Sequence, residues 1–443
     1  MKSGPYYQGV TMPLQRKRVT MNREMKNETA LSDIRVLDLT GLMGGYCTKL
    51  LADLGADVVL VEPPAGHPGR HIGPYYQDQV HPEKSLYFFH FNTNKRSVTV
   101  EIETSDGRDV LKKLVGTADI LVESYSPGYL DSIGLGYDVL KKINPKLILV
   151  SLTGFGQTGP YKDFKASDIV GLAMSGVLDS VGFPEDPPTS LACSQAYHMT
   201  STYAAIGALM ALYNRDITGE GQWVDIPMQG AVLRMSEFGA HQYWLTKTAR
   251  KRSGVEFYRG VKDFFPCKDG AVFCSALGGS GAETMLEWME SEGMIADLRD
   301  EKYAAAIHMI ATGGAPMGKG SQQKIKYDGS LANVEQVDIK TALSRIEKVW
   351  EAFLMAHTRE ELFVGAQTRG VRLMAVREAA DIVDNDSLKF RNWFVDVEHP
   401  ELGVTVKYPG QPFGLSETPW KISRRAPLIG EHNNEILGKE LGY

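Results

Sequence analysis

The chain is poor in cysteine. Across 443 residues it has four, Cys47, Cys193, Cys267 and Cys274, and all but the last two stand far apart. There is no C-x-x-C pair and no Cys/His zinc spacing, which points away from a disulfide or zinc framework and fits a reducing cytoplasm. No run of about 18 uncharged apolar residues occurs, so hydropathy excludes a membrane-spanning helix. A basic excess is missing too: 48 Lys and Arg stand against 54 Asp and Glu, a net charge of −6. That argues against nucleic-acid binding, which needs a basic face.

Several catalytic signatures are also absent. The ten histidines include no H-E-x-x-H. His67 and His71 have the spacing of a helical metal pair, but Pro68 and Gly69 lie between them, so no metal site is expected. No G-x-S-x-G elbow anchors a hydrolase triad. Gly154-Phe-Gly156-Gln-Thr-Gly159 has dinucleotide-fingerprint spacing, yet Pro160 follows and no helix opens on it. A pyrophosphate site needs helix N–H groups there, so this stretch reads as a backbone-flexible loop.

What is present is an ordinary globular composition, 43% hydrophobic and 23% charged, long enough for two or three domains. Residues 1–29 mix basic and acidic side chains without an apolar stretch and read as a flexible tail. From residue 34 short apolar runs alternate with helical spacing. Strands are expected at 34–39, 57–62, 97–102, 119–123, 147–152 and 222–227, and helices at 46–54, 105–117 and 137–142. Apolar strands separated by helices imply a parallel sheet covered on both faces. Helices follow at 168–178 and 199–213. The second is almost free of charge and rich in Ala and Gly, so it should be buried, at a contact between chains. After residue 250 a hairpin is expected around Lys268-Asp269-Gly270, and 311–337 reads as a Gly/Lys/Gln-rich loop or insertion.

Longer motifs carry a resemblance. They are Cys47-Thr-Lys-Leu-Leu-Ala-Asp-Leu-Gly-Ala-Asp-Val58, Glu62-Pro-Pro64, Asn94-Lys-Arg-Ser97, Ala118-Asp-Ile-Leu-Val-Glu123, Gly154-Phe-Gly-Gln-Thr-Gly-Pro160, Thr218-Gly-Glu-Gly-Gln222 and Arg425-Ala-Pro-Leu-Ile-Gly-Glu-His432. In this order they resemble the family III (CaiB/BaiF-type) CoA-transferases over roughly residues 30–443. The resemblance implies an α/β fold: a Rossmann-like large domain, a smaller α+β domain, and two chains interlocked as a ring-like dimer. On that plan 30–225 is the large domain, 226–254 a linker, 255–410 the small domain and 411–443 a return to the large one.

The family's transfer chemistry uses an Asp carboxylate. It attacks an acyl-CoA carbonyl, passes through mixed anhydrides and an aspartyl-CoA thioester, and hands CoA to an acceptor carboxylate. A carboxylate suits this because it is ionised at neutral pH, with a reference pKa of about 3.9, and its anhydride is reactive. Aligned without a gap after Pro187-Pro188, the chain puts Tyr197 at the nucleophile's position, and no Asp or Glu lies between Asp186 and Asp216. A phenol, with a reference pKa of about 10, is ionised about one part in a thousand at pH 7. It forms no acyl anhydride either.

Other positions depart from the family as well. Ser132 stands where relatives carry a basic residue for CoA. Residues 250–262 hold only Gly254 and Gly260 of an expected glycine run, while Gly278-Gly279-Ser280-Gly281 comes after the next strand. Ser167 replaces the histidine that a racemase would use. The remaining site candidates are Lys165, Met43 and Tyr125 for CoA, and Asp168 as a second candidate for the catalytic carboxylate. Lys165 reads equally as a solvated loop lysine. Asp168 reads equally as the N-cap of its own helix. Tyr197 and His198 read as pocket lining or as core.

The resemblance implies CoA thioesters as substrates with no permanently bound cofactor, and a small carboxylic acid as the second substrate. The missing Asp implies a homologous subunit that supplies it, as in heteromeric arylsuccinate (benzylsuccinate-type) transferases. A self-sufficient transferase using Asp168 and a non-catalytic CoA-binding scaffold are the alternatives.

Overall fold

The computed structural model describes residues 29–249, 251–252, 254, 263–274, 281–312 and 338–443. The expected tail at 1–29 (but for residue 29), most of the glycine-bearing stretches at 250–262 and 278–281, and all but the first two residues of the expected insertion at 311–337 lie outside them.

The first unit is built on strands β1 (Arg35–Leu39), β2 (Asp57–Glu62), β3 (Arg96–Thr99), β4 (Ile120–Glu123), β5 (Ile148–Thr153) and β6 (Trp223–Pro227). They form one parallel sheet in the order β3-β2-β1-β4-β5-β6. Alternation along the strands divides their side chains between two layers. Val36, Val58, Leu60, Ile120, Val122, Ile148 and Val150 point into one core, where they meet Cys47 and Leu51 of α1 (Gly45–Asp53). Leu37, Val59, Val61, Leu121 and Leu149 point into the other, where they meet Leu111, Leu114 and Val115 of α3 (Ser105–Val115) and Leu140 of α5 (Tyr137–Ile143). The first layer also holds Phe88 and Phe89 of α2 (Leu86–Phe91), a helix the sequence did not announce. The short α4 (Tyr129–Ser132) follows β4.

Two expected helices differ in extent. The stretch 168–178 is helical over α6 (Asp168–Met174) and then turns, with Gly176 at a φ of 79°. Val177 and Leu178 still pack with Leu172, so the apolar rhythm outlasts the helix. The stretch 199–213 becomes α7 (Gln195–Thr218), 24 residues ending on Gly219 in the left-handed conformation. Its small residues Ala204, Ala208 and Ala211 lie in the first core. A Cβ on Gly207 would sit 3.0 Å from Val224, so glycine permits this close approach to the sheet.

In the single chain α7 is covered on one face only. Ile206, Met210, Tyr213 and Ile217 form an exposed stripe, with Met210 62% accessible. After α8 (Met228–Leu233) comes α9 (Glu237–Thr246), which buries none of its residues and leaves Trp244 77% accessible.

The second unit contains the expected hairpin, β7 (Phe264–Cys267) with β8 (Gly270–Cys274), extended by β9 (Leu373–Ala375). Its core joins α10 (Gly281–Ser291), α11 (Glu301–Thr312), α12 (Ile339–Met355) and α13 (Arg359–Arg369) through Met285, Trp288, Tyr303, Trp350, Phe353 and Leu362. The short α14 (Ala379–Val383) and α15 (Asp386–Phe390) lead to an antiparallel pair, β10 (Phe394–His399) and β11 (Val404–Pro409). Val397 and Tyr408 of this pair belong to the first unit's core, ahead of the boundary near 410 drawn from sequence. The chain then runs back along β3. His432 bonds Ser97, Asn433 bonds Thr99, and Arg96 pairs with Glu435 and Glu440.

Candidate active site

The strand order reverses between β1 and β4, and in open α/β sheets ligands bind in the crevice at the carboxyl ends of such strands. The loop after β1 is held there by Asp38, a fully buried carboxylate. It accepts from Thr40 Oγ1 at 2.7 Å, Thr48 Oγ1 at 2.6 Å and Lys95 Nζ at 2.8 Å. Burial acts to raise the Asp38 carboxyl, but the Lys95 ammonium and the two hydroxyls overcome it and hold the group below its ordinary value. Gly41 N–H donates to Ser124 Oγ at 2.8 Å and so ties the β1 loop to the β4 loop. Met43 and Tyr125, two of the CoA-site candidates, sit half-buried on these joined loops. Tyr125 packs against Tyr129 at 4.7 Å, and its N–H donates to Glu123 at 2.7 Å.

Glu123 closes β4 with 3% exposure, beside a small cavity of about 80 Å³ that Tyr129, Tyr137 and Trp223 also line. Burial pushes its carboxyl up to about 7. Ser151 and the Tyr125 N–H oppose the shift, and Asp225 and Asp131 add to it. Lys165, the third CoA candidate, is exposed in the loop between β5 and α6, three residues ahead of Asp168. Ser132, on α4, donates its hydroxyl to the Tyr129 carbonyl at 2.7 Å.

The structure brings two further candidates together. Asp168 opens α6 and Tyr197 lies in the first turn of α7. The Tyr197 N–H donates to Asp168 Oδ1 at 3.0 Å. Asp168 is therefore not the N-cap of its own helix; that position is Ser167, whose side chain makes no capping bond. Its carboxylate instead satisfies a free N–H at the start of the next helix, where Ser194 caps with no side-chain bond. Tyr197 packs against the buried cluster formed by Leu172, Val177, Ala196, Met228 and Val232. Burial pushes the phenol above its ordinary value, with the Asp168 N–H opposing and the Asp168 carboxylate adding. The local environment thus moves Tyr197 further from the ionised state a nucleophile needs.

Rings from two other helices crowd the same place. His198 lies 4.8 Å from Tyr46 and 5.4 Å from Phe91, and Phe91 lies 4.6 Å from Tyr87 and 4.7 Å from His90. Burial pushes Tyr87 up to about 12, with the neighbouring Tyr197 and Asp168 adding to the shift. Burial pushes His90 down to about 4, assisted by Lys49 and His198. Burial also lowers His198, with Asp168 opposing. Sequence reasoning missed Tyr46, Tyr87, His90 and Phe91. The aromatic run Leu86-Tyr-Phe-Phe-His-Phe91 was the available signal. Among the described residues no group of three or more His, Cys, Asp and Glu has metal-binding geometry.

A doubly wound sheet with a switch-point crevice and a small second unit defines an α/β protein of the ligand-binding kind. Residues 31–312 and 315–433 match CoA-transferase family III, and the chain belongs to that family. It is an enzyme of the CoA-transferase class by this membership. It is 34% identical to the succinyl-CoA:(R)-benzylsuccinate CoA-transferase subunit BbsE of Thauera aromatica, over 93% of this chain and 94% of that one. Identity is 31% to the succinyl-CoA–D-citramalate CoA-transferase of Chloroflexus aurantiacus, over 93% and 94%. To the formyl-CoA:oxalate CoA-transferase of Streptomyces avermitilis it is 32%, over 93% and 96%. The crystal structure of a CAIB/BAIF family protein from Brucella suis superposes with a TM-score of 0.77 at 27% identity, covering 93% of this chain and 99% of that one.

Proposed function

We propose that this chain is the subunit without a nucleophile in a heteromeric CoA-transferase. The assembly moves CoA from an acyl-CoA such as succinyl-CoA to a carboxylic acid, an arylsuccinate such as (R)-benzylsuccinate. A homologous partner chain supplies the Asp. The observation that carries the reading is Tyr197: it occupies the first turn of α7, its N–H is held by Asp168, and its phenol is driven away from ionisation. Neither an acyl anhydride nor an aspartyl thioester can form on it. The likeness to a subunit of a benzylsuccinate transferase supports both the division of labour and the acceptor class.

In the proposed cycle the partner's carboxylate attacks the acyl-CoA carbonyl and CoA thiolate leaves. The thiolate then attacks the resulting anhydride at the aspartyl carbonyl, releasing the first acid and leaving an aspartyl thioester. The acceptor carboxylate attacks that thioester to give a second mixed anhydride and free thiolate, and the thiolate attacks this anhydride at the acceptor's carbonyl, forming the product thioester and releasing the aspartate. This chain contributes the scaffold, with Met43, Tyr125 and Lys165 as its CoA contacts.

A second reading makes Asp168 the nucleophile of a self-sufficient enzyme, because its carboxylate faces Tyr197, His198 and Tyr87. Its engagement as a helix-capping acceptor counts against this. Expressing the chain alone and with its genomic neighbour separates the readings. Activity only from the pair supports the first, and full activity from the chain alone overturns it. Trapping with borohydride or hydroxylamine followed by peptide mass spectrometry then locates the adduct. No adduct on any Asp or Glu of this chain ends the second reading. Calorimetry that detects CoA binding without transfer, alone or with the neighbour, would leave a non-catalytic scaffold.

A further inference from the structure

Glu123 ends the central strand β4 at the switch point, directly ahead of the crevice loop. Leu39 on β1 and Ser151 on β5 stand beside it in the sheet. Its carboxyl accepts from the Tyr125 N–H at 2.7 Å and is hydrogen-bonded by Ser151, whose Oγ accepts from the Trp223 indole at 2.9 Å. The next residue, Ser124, accepts from the Gly41 N–H of the β1 loop. One buried acid thus anchors the loop that joins the two sides of the crevice and carries Tyr125.

No cation balances that acid at close range. The cavity beside it is also lined by Tyr129 and Asp131 of α4, Tyr137 and Asp138 of α5, and Trp223 of β6. Among the described residues no Lys, Arg or His lines it. Asp225 on β6 and Asp131 add negative charge to that of burial's penalty, so the carboxyl rises to about 7. The Tyr137 hydroxyl is buried and has no partner among the described residues, so an acceptor for a proton-bearing carboxyl lines the same cavity. A loop anchor needs only an acceptor oxygen. This one changes charge near neutrality, beneath a crevice that a polyanionic thioester would enter.

We propose that Glu123 is a positioning residue linked to CoA by a proton: CoA binds at the β1–β4 crevice with proton uptake at Glu123, and the neutral carboxyl holds Ser124 and Tyr125 for it. The ligand's phosphates bring further negative charge toward the carboxyl, and the ligand covers the loops from water. Both favour the neutral acid. Binding is then tightest at low pH and weakens as pH rises through the value of the free protein. The proposal rests on the reading of Tyr125 as a CoA contact.

The test is calorimetry with CoA on the full chain, alone and with its co-expressed partner, between pH 6 and 8.5. Two buffers of different ionisation enthalpy separate proton uptake from binding heat. CoA's own phosphate titrates near pH 6, so the readout is the difference between wild type and Glu123→Gln. The Gln variant keeps an acceptor for the Tyr125 N–H. A rise of about half to one unit in the carboxyl's pKa on binding would make the wild-type Kd weaken roughly three- to tenfold more than the variant's across that range. Wild type should also take up more protons than the variant near pH 7.5. Asp225→Asn keeps an acceptor for the Gln157 N–H and removes one neighbouring charge, so it should move the wild-type midpoint down in pH. It decides the matter if Glu123→Gln fails to fold, and an unmoved midpoint then overturns the linkage. Equal proton uptake and equal pH dependence in wild type and Glu123→Gln overturn it too, leaving Glu123 a loop anchor. The underlying reading fails differently: no CoA binding by either preparation at any pH ends this chain's CoA contacts, and the inference with them.

Discussion

Asp168 and Tyr197 carry opposite demands on one pair of side chains. If Asp168 acts as a cap, what it must keep is an acceptor oxygen; if it acts as a nucleophile, it must keep a carboxylate. Asp168→Asn preserves the acceptor and removes the carboxylate. The heteromer carrying it is expected to keep transfer activity within about threefold of wild type, with urea-unfolding stability unchanged to about 0.5 kcal/mol. Asp168→Ala leaves the Tyr197 N–H without its partner and is expected to cost about 1 kcal/mol in the same titration. Loss of all transfer in the Asn variant, with the fold intact, would assign Asp168 to the chemistry. Sequence could not have shown this cap, because the donor is 29 residues away and belongs to another helix. A sequence window sees capping only within a helix's own first turn. Tyr197 was visible because the motif around it aligned without a gap.

At the scale of elements, all six strands of the parallel sheet were legible. The four central ones, β1, β2, β4 and β5, are mostly apolar runs, and every residue of β4 and β5 is buried, whereas the edge strand β6 buries none of its residues fully. The short α2 was not legible, since six residues give too little periodicity to separate a helix from a strand. The hairpin β10–β11 was visible neither as strands nor as part of the first core. Its alternation of polar and apolar residues, as in Phe394-Val-Asp-Val-Glu-His399, leaves the packing partner unspecified.

Glu123 provides the element-scale prediction. Its folded-state pKa is raised to about 7 from an ordinary 4.5. The unfolded chain therefore loses the proton first, and stability falls as pH rises from about 4.5 to 7, then levels. Glu123→Gln keeps an acceptor for the Tyr125 N–H and removes this dependence. Relative to wild type the variant should gain stability across that window, by about 3 kcal/mol at its upper end, as measured by urea unfolding at pH 5 and pH 7.5. A constant difference at both pH values would place the carboxyl's pKa near its ordinary value.

For the whole molecule, the unused surface is as informative as the site. The stripe Ile206, Met210, Tyr213 and Ile217 on α7 and the apolar α9 are open to solvent in the single chain. They are the surfaces a partner chain would cover in the assembly we propose. Met210→Glu is expected to change the chain's own unfolding by less than about 0.5 kcal/mol while preventing co-purification with the partner. Co-purification at wild-type yield would place the interface elsewhere.

The most direct measurement is CoA transfer from succinyl-CoA to (R)-benzylsuccinate by the purified chain, assayed alone and after co-expression with a homologous chain that carries Asp at the position of Tyr197. We predict no turnover from the chain alone, turnover from the pair, and a trapped acyl adduct on the partner's carboxylate. Turnover by the chain alone at the rate of the pair would contradict the account.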